Sequence, residues 1–360
     1  MRIFAASAYL DSWNSVRPEA ALFAGLVARG HEVTMATRGR PEHCTWLRQA
    51  GIRILDVYPQ RKLSLSTIRA YRRELRAGRY DIAYGMNSKT ITSLAFATIG
   101  LPVRFVTYRG TAGGLYRHDP TAYLTHLHPR VDAICCVSKA VEQAVRSRVW
   151  RRGVVITTVY KGHDLAWFPP VHADLSEFGI PDQAFVIACV ANARPGKGLA
   201  LLLEAADGVL QNPDAHLLIV GRGVSGKPYA VIREASPWKS RIHLAEHRSD
   251  VVRLVAGASL YVQPSLREGL PKTVIEAMAQ AIPAIVSDAG GMPELVVHGD
   301  SGWVIERGSV GALSDALQAA YRQRAQLPAM GQRARARIGR EFSPERTIDG
   351  HLRLFESLLG

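Results

Sequence analysis

Long apolar runs are missing from this chain. No stretch approaches the ~18 residues needed to cross a bilayer, so nothing in it reads as a membrane span. Cysteine is scarce as well, and the four present, Cys44, Cys135, Cys136 and Cys189, show neither metal-ligand spacing nor a disulfide framework. Cys135 and Cys136 fall inside the apolar run 131–137 and read as core thiols of a reduced compartment. Residues 3–10 are apolar but few, and Asp11 follows without a small-residue cleavage pattern. No signal peptide is expected, and the chain is read as cytoplasmic. Acidic residues are outnumbered: 31 Asp and Glu against 45 Lys and Arg leave a net charge of +14. Such a surplus draws a protein toward polyanions such as phospholipid headgroups, nucleic acid or phosphorylated glycans. The basic residues are not interleaved with an aromatic stacking platform, so nucleic acid is not expected among them.

What is present is enough for two domains. At 360 residues and 47% hydrophobic content, the chain fits two globular cores of roughly 150 residues each. Apolar strand patterns alternate with helical ones from the first residues onward, beginning with strands at 1–6 and 31–37 and a helix at 18–28. That alternation predicts α/β architecture, with parallel sheets covered on both faces.

One stretch organises the second half. A short apolar run, 258–262, is followed by Gln263-Pro264-Ser265-Leu266-Arg267-Glu268-Gly269-Leu270-Pro271-Lys272-Thr273 and an Ala/Met-rich helix carrying Glu276. Pro271 suits the first turn of that helix, where no backbone donor is lost. Gly269 lets a ligand come close to the backbone, and the amides from Leu270 to Thr273 would face it at a helix N-terminus, which favours an anion. One carboxylate (Glu268) on a sugar hydroxyl, amides on a diphosphate, and a second carboxylate (Glu276) on a ribose outline a nucleotide-sugar.

Two glycine-containing turns lie upstream. The strand 184–191 runs into Asn192-Ala193-Arg194-Pro195-Gly196-Lys197-Gly198 and then a helix. Arg194 offers a bidentate fork and Lys197 a mobile point charge, a pairing suited to a diphosphate. The strand 216–220 runs into Gly221-Arg222-Gly223-Val224-Ser225-Gly226-Lys227-Pro228, which satisfies G-x-G-x-x-G and nearly satisfies a P-loop. The P-loop fails at Pro228, where Ser or Thr should hold magnesium. A dinucleotide reading would need an acid near the end of the next strand, and Glu246 is the candidate. Because the motif sits mid-chain and opens no domain, NAD is not expected.

Residues 241–310 resemble, segment by segment, the C-terminal half of retaining GT-B glycosyltransferases of the sucrose-synthase-like group 1, or family 4. "KGLALLLEA" is similar to the family as well, and so are "GHEVTMAT", "ICCVSKAVEQAV" and "YKGHDLAWF" in the first half. The last of these ends at Pro169-Pro170, the family's turn into an interdomain linker, with Lys161 where Asn is usual.

The resemblance implies two Rossmann-like domains facing across a cleft. An acceptor-binding domain would span 1–165, a nucleotide-sugar domain 166–342, and a helix over 343–360 would cross back to the first. It implies a retaining hexosyltransferase in which Arg194 and Lys197 clamp the leaving diphosphate. Glu268 would orient the donor sugar and Glu276 bind the ribose, with Gly221, Gly223, Ala245 and Glu246 near the nucleotide. No Asp-x-Asp occurs, so a metal grip on the diphosphate is not expected and no cofactor is implied beyond the donor substrate, for which a UDP-sugar is favoured. The acceptor would be a glycan or lipid-linked sugar of the bacterial surface, such as lipopolysaccharide core. A GT-B epimerase or phosphorylase, and a non-catalytic polyanion binder, are the alternatives.

Two departures from the family stand in the first half. Its glycine pair after the first strand is replaced by "AYLDSWNS". Its N-domain histidine falls on Arg109 in "VTYRGTAGG", a guanidinium able to hold a carboxylate or phosphate. Either Arg109 or His118, in "LYRHDP", takes that place. The segment 64–79 forms a basic amphipathic helix with Arg69, Arg72, Arg73 and Arg76, suited to an anionic membrane surface at which the protein would be peripheral.

Overall fold

The computed structural model describes residues 1–169 and 173–360, and its chain divides into two compact units. Unit 1 comprises Met1–Gly162 with Phe342–Gly360, and unit 2 comprises His163–Glu341. Pro170, half of the expected linker turn, lies outside the described residues.

Unit 1 is built on seven parallel strands: β1 (Arg2–Tyr9), β2 (Glu32–Gly39), β3 (Arg53–Leu55), β4 (Ile82–Gly85), β5 (Arg104–Arg109), β6 (Ala133–Cys136) and β7 (Val155–Thr158). Their order in the sheet is β3-β2-β1-β4-β5-β6-β7. The interior strands β4 and β6 are buried at every residue, as strands covered on both faces must be. β1 runs three residues further than its pattern suggests, because Tyr9 is fully buried in the core. The next helix then begins at Trp13 rather than Pro18. Trp13 and Val16 pack into the core cluster, which offsets the backbone hydrogen bond that Pro18 cannot make. The loop expected over 7–17 therefore shrinks to Leu10, Asp11 and Ser12.

The closing helix Pro344–Leu359 belongs to unit 1. Ser343 caps it by accepting from the Arg346 amide, and Pro344 occupies the first turn without loss. It packs against the helix Trp13–Ala28 and places Ile348, Leu354, Phe355 and Leu358 in the core, each contributing about 1.5–3 kcal/mol on full burial. His351 is held on the same face: its Nδ1 donates to the Thr347 carbonyl (2.8 Å), and its Nε2 accepts from Tyr84 OH (3.1 Å). Burial lowers its pKa to about 4, so the ring is neutral at pH 7.

Unit 2 carries six parallel strands: β8 (Phe185–Val190), β9 (Ala215–Val220), β10 (Ile242–Ala245), β11 (Leu260–Gln263), β12 (Ala284–Ser287) and β13 (Gly302–Ile305). They lie in the order β10-β9-β8-β11-β12-β13. The chain winds outward from β8 in one direction and from β11 in the other. The boundary between these two neighbours is the topological switch point, where the loops leaving the carboxyl ends diverge and open a crevice.

Candidate functional site

The switch point of unit 2 selects the loops that matter. The loop after β8 carries Arg194 and Lys197, and the loop after β11 carries Glu268 and Gly269. Lys197 Nζ stands 2.5 Å from Glu268 Oε1, an ion pair joining the two loops across that boundary. Backbone bonds bring the loops together: the Leu266 amide donates to the Gly196 carbonyl at 2.8 Å. Arg194 is exposed, and its guanidinium takes no hydrogen-bond or ion-pair partner among the described residues. The site thus presents one cation already paired and one available.

The helix after this loop spans Lys272–Ala279. Pro271 is its N-cap residue rather than a first-turn residue, since its extended backbone (φ −73°, ψ 117°) precedes the first helical turn. No side chain of the N-cap residue caps this end, and a helix N-terminus of this kind favours an anion. Glu276 lies in the second turn and is buried. Lys272 Nζ is 3.1 Å from its Oε1, an ion pair one turn back along the helix. Burial raises the Glu276 pKa, and the Lys272 charge offsets only part of that rise.

The Gly-rich turn after β9 is occupied from within. The Gly223 amide (2.8 Å) and the Ser225 amide (3.2 Å) both donate to the Glu246 carboxylate, as does the Ser225 hydroxyl. These hydrogen bonds, the Ser225 hydroxyl's first, hold the Glu246 pKa below the usual carboxylate range. Glu246 is therefore the anion in its own chain's nest, a brace rather than a free carboxylate. A Cβ at Gly221 would lie 2.0 Å from the Ala191 carbonyl oxygen, and the Gly221 amide donates to Ala245 O at 2.9 Å. Close strand-to-turn packing explains this glycine without any phosphate.

Unit 1 holds the two remaining candidates, in different surroundings. Arg109 ends β5 rather than following it, and its guanidinium donates to the carbonyls of Thr111 (2.8 Å) and Gly113, bracing the glycine loop. Burial lowers its pKa. His118 is exposed and stacks on Tyr116 with ring centroids 5.4 Å apart. The imidazole electrostatically coupled to Arg109 is His126: it is buried, 3.0 Å from Thr107 Oγ1, with its pKa lowered to about 3 by burial and then by the Arg109 charge. Sequence reasoning missed it because nothing in "YLTHLHPR" marks which of its two buried histidines lies near Arg109.

The basic helix also needs correction. It spans Leu65–Gly78, and Arg69, Arg73 and Arg76 are exposed along it. Arg72 turns inward, and its Nη1 donates to the carbonyls of Ala97 (2.9 Å) and Ile99 (2.6 Å) at the end of the helix Ser88–Ala97. Capping those carbonyls removes Arg72 from any surface role.

Strand periodicity holds a signal that motif reading does not use. Tyr261, Gln263 and Ser265 alternate along β11 and just beyond, so one face of the strand carries three buried polar groups toward Glu268.

Comparison with known proteins agrees with this architecture. The family model "Glycosyltransferase Family 4" matches residues 20–167, and "Glycosyl transferases group 1" matches residues 172–337. The N-acetyl-alpha-D-glucosaminyl L-malate synthase of Bacillus anthracis is 24% identical over 93% of this chain and 91% of its own length. The lipopolysaccharide core biosynthesis mannosyltransferase LpcC of Rhizobium leguminosarum bv. viciae is 28% identical over 69% of this chain and 71% of its own. The crystal structure of Anabaena HepE in complex with UDP-glucose superposes with a TM-score of 0.76 at 18% identity, covering 99% of this chain and 100% of that one. The fold is GT-B, two parallel-sheet α/β domains. With both halves matched by models of one enzyme group, this chain belongs to the group 1, family 4 type of glycosyltransferases.

Proposed function

We propose that the protein transfers a sugar from a UDP-sugar to a glycan or lipid-linked acceptor of the bacterial cell surface, with retention at the anomeric carbon. The observation that carries this reading is the Lys197–Glu268 pair at the switch point, followed directly by an uncapped helix N-terminus. In this reading Arg194, Lys197 and the amides near Leu270, Lys272 and Thr273 receive the diphosphate, supplying the positive charge that a departing UDP requires. Preorganised charge of this kind is commonly what lowers an enzymatic barrier most. Glu268 accepts hydrogen bonds from the donor sugar, and Glu276 accepts from the ribose. Gly221, Gly223 and Ala245 form the wall near the base, stiffened by Glu246. The sugar C1–phosphate oxygen bond breaks, the acceptor oxygen bonds C1 on the same face, and its proton passes to the leaving phosphate. Arg109 and His118 lie in the unit assigned here to the acceptor. The relatives' own activities support the reading: LpcC is a lipopolysaccharide core mannosyltransferase, and HepE was crystallised with UDP-glucose.

A thermal-shift panel of UDP, GDP, ADP, TDP, CMP, NAD and ATP on wild type and Glu276→Ala tests it. At 100-fold its dissociation constant, UDP is expected to stabilise the wild type by about 2.7 kcal/mol and the variant far less. A shift with NAD alone would sink the reading, and silence across the panel would leave a fold without a donor.

Peripheral membrane association belongs to the same proposal. Leu65, Arg69, Arg73 and Arg76 recur at helical spacing on one exposed stripe, with Leu65 69% exposed. No helix among the described residues is long and apolar enough to cross a membrane. Replacing the three arginines with glutamine should weaken sedimentation with phosphatidylglycerol vesicles by roughly 100-fold, at about 1 kcal/mol per charge. Equal sedimentation of wild type with anionic and neutral vesicles would remove this part.

A further inference from the structure

A chain of buried hydrogen bonds runs from the interior of unit 2 to Glu268. Tyr261 OH (2.9 Å) and Thr273 Oγ1 (3.2 Å) both donate to Gln263 Oε1. Gln263 Nε2 then donates to Ser265 Oγ at 2.8 Å, and Ser265 Oγ donates to Glu268 Oε1 at 2.9 Å. Tyr261, Gln263 and Ser265 are each 1% exposed or less, so water does not compete for these bonds. A hydroxyl has one proton: that of Ser265 is committed to the carboxylate, because Gln263 Nε2 already donates to its oxygen, while Tyr261 OH makes its shorter contact with Gln263 Oε1 and a longer one, 3.4 Å, with Val190 O. The end of the chain is the same oxygen that pairs with Lys197.

We infer that Ser265 and Gln263 are positioning residues that divide the labour between the two oxygens of Glu268. Oε1 is saturated by Lys197 and Ser265. Oε2, which has no partner among the described residues, is left as the acceptor that meets the donor. Thr273 ties the first turn of the helix Lys272–Ala279 to the same amide, so the carboxylate and the anion-facing amides share one frame. The backbone supports it from the other side, where the Ser287 hydroxyl donates to the Ser265 carbonyl and the Gly291 amide to Gly269 O at 2.9 Å. Without the Ser265 hydroxyl, Glu268 is free to rotate about its side-chain bonds and Lys197 moves with it. This assignment rests on the reading of Glu268 as the residue facing the donor sugar.

The test compares Ser265→Ala, Ser265→Thr, Gln263→Glu and Glu268→Ala, alone and with Ser265→Ala combined with Glu268→Ala. Release of nucleoside diphosphate is followed on UDP-glucose, UDP-galactose, UDP-N-acetylglucosamine and GDP-mannose. Ser265→Ala should lower kcat roughly 10–100-fold, the size of one hydrogen bond to a charged group, with UDP affinity little changed. Ser265→Thr should restore most of the rate, and Gln263→Glu, which cannot donate to Ser265, should not. In the Glu268→Ala background, Ser265→Ala should cost nothing more.

A second readout needs no turnover. Trace acetylation of Lys197, quantified by mass spectrometry, should rise severalfold in both Ser265→Ala and Glu268→Ala. Unchanged kcat and unchanged Lys197 reactivity in a folded Ser265→Ala or Gln263→Glu protein would overturn the inference. So would full additivity with Glu268→Ala. If Glu268→Ala itself retains full turnover, the functional reading fails first, and the two failures are told apart by that variant alone.

Discussion

Glu268→Ala is expected to lower sugar-nucleotide turnover on the order of 10²–10³-fold, the cost of removing one preorganised electrostatic partner from an active site. Two losses combine in that figure. The donor sugar loses its acceptor oxygen, and Lys197 loses the anion that fixes its ammonium 2.5 Å away. Lys197 is partly exposed, so its freed side chain can follow solvent rather than the diphosphate. UDP binding should survive, since the helix amides and Arg194 are untouched. The measurement is steady-state nucleotide release together with UDP titration. Full turnover in a folded variant would remove Glu268 from the site.

Gly290→Ala should do comparable harm without touching any charged group. Gly290 sits at φ +59°, and an added Cβ would lie 1.9 Å from the Glu268 carbonyl oxygen, a backbone atom that cannot swing aside. Left-handed backbone alone costs an alanine roughly 1–2 kcal/mol. The collision must then displace either the turn after β12 or the loop that carries Glu268. A melting point lower by roughly 6–12 °C is expected, equivalent to about 3 kcal/mol in a unit of this size, with turnover lost. Gly299→Ala is the control. It has φ +79° but nothing within 4 Å of the new Cβ, so it bears the strain without the collision. If the two variants melt together, the close approach of Gly290 to Glu268 is not what constrains the loop.

Much of this molecule is legible in its sequence. Glu268, Arg194 and Lys197 are readable because each stands at a strand-to-helix junction, where a polar residue interrupting apolar runs is conspicuous, and Glu276 because it is a lone acid in an Ala/Met-rich helix. Gln263 and Ser265 are not, because they face the interior, and the order of residues does not show which buried polar groups of the stretch 261–273 bond to one another. Arg72 looks like one more member of a basic stripe. A shift of one position around a helix moves a side chain by about 100°, enough to carry it from solvent to a neighbouring helix end. Glu246 and the Gly-rich turn show the same limit. The turn's spacing matches a phosphate cradle, but the filling of that cradle by a carboxylate 23 positions downstream from Gly223 is a fact of tertiary structure.

The division of the chain also sets an order of assembly. Unit 2 is continuous, whereas the core of unit 1 is closed by Ile348, Phe355 and their neighbours, which follow all of unit 2 in the chain. During synthesis the ribosome therefore delivers every residue of unit 2 before the last piece of unit 1. Until then the apolar face of the helix Trp13–Ala28 has no cover from the closing helix. A nascent chain stopped at Glu341 holds a finished second unit and a first unit still open, the interval in which a chaperone has something to hold.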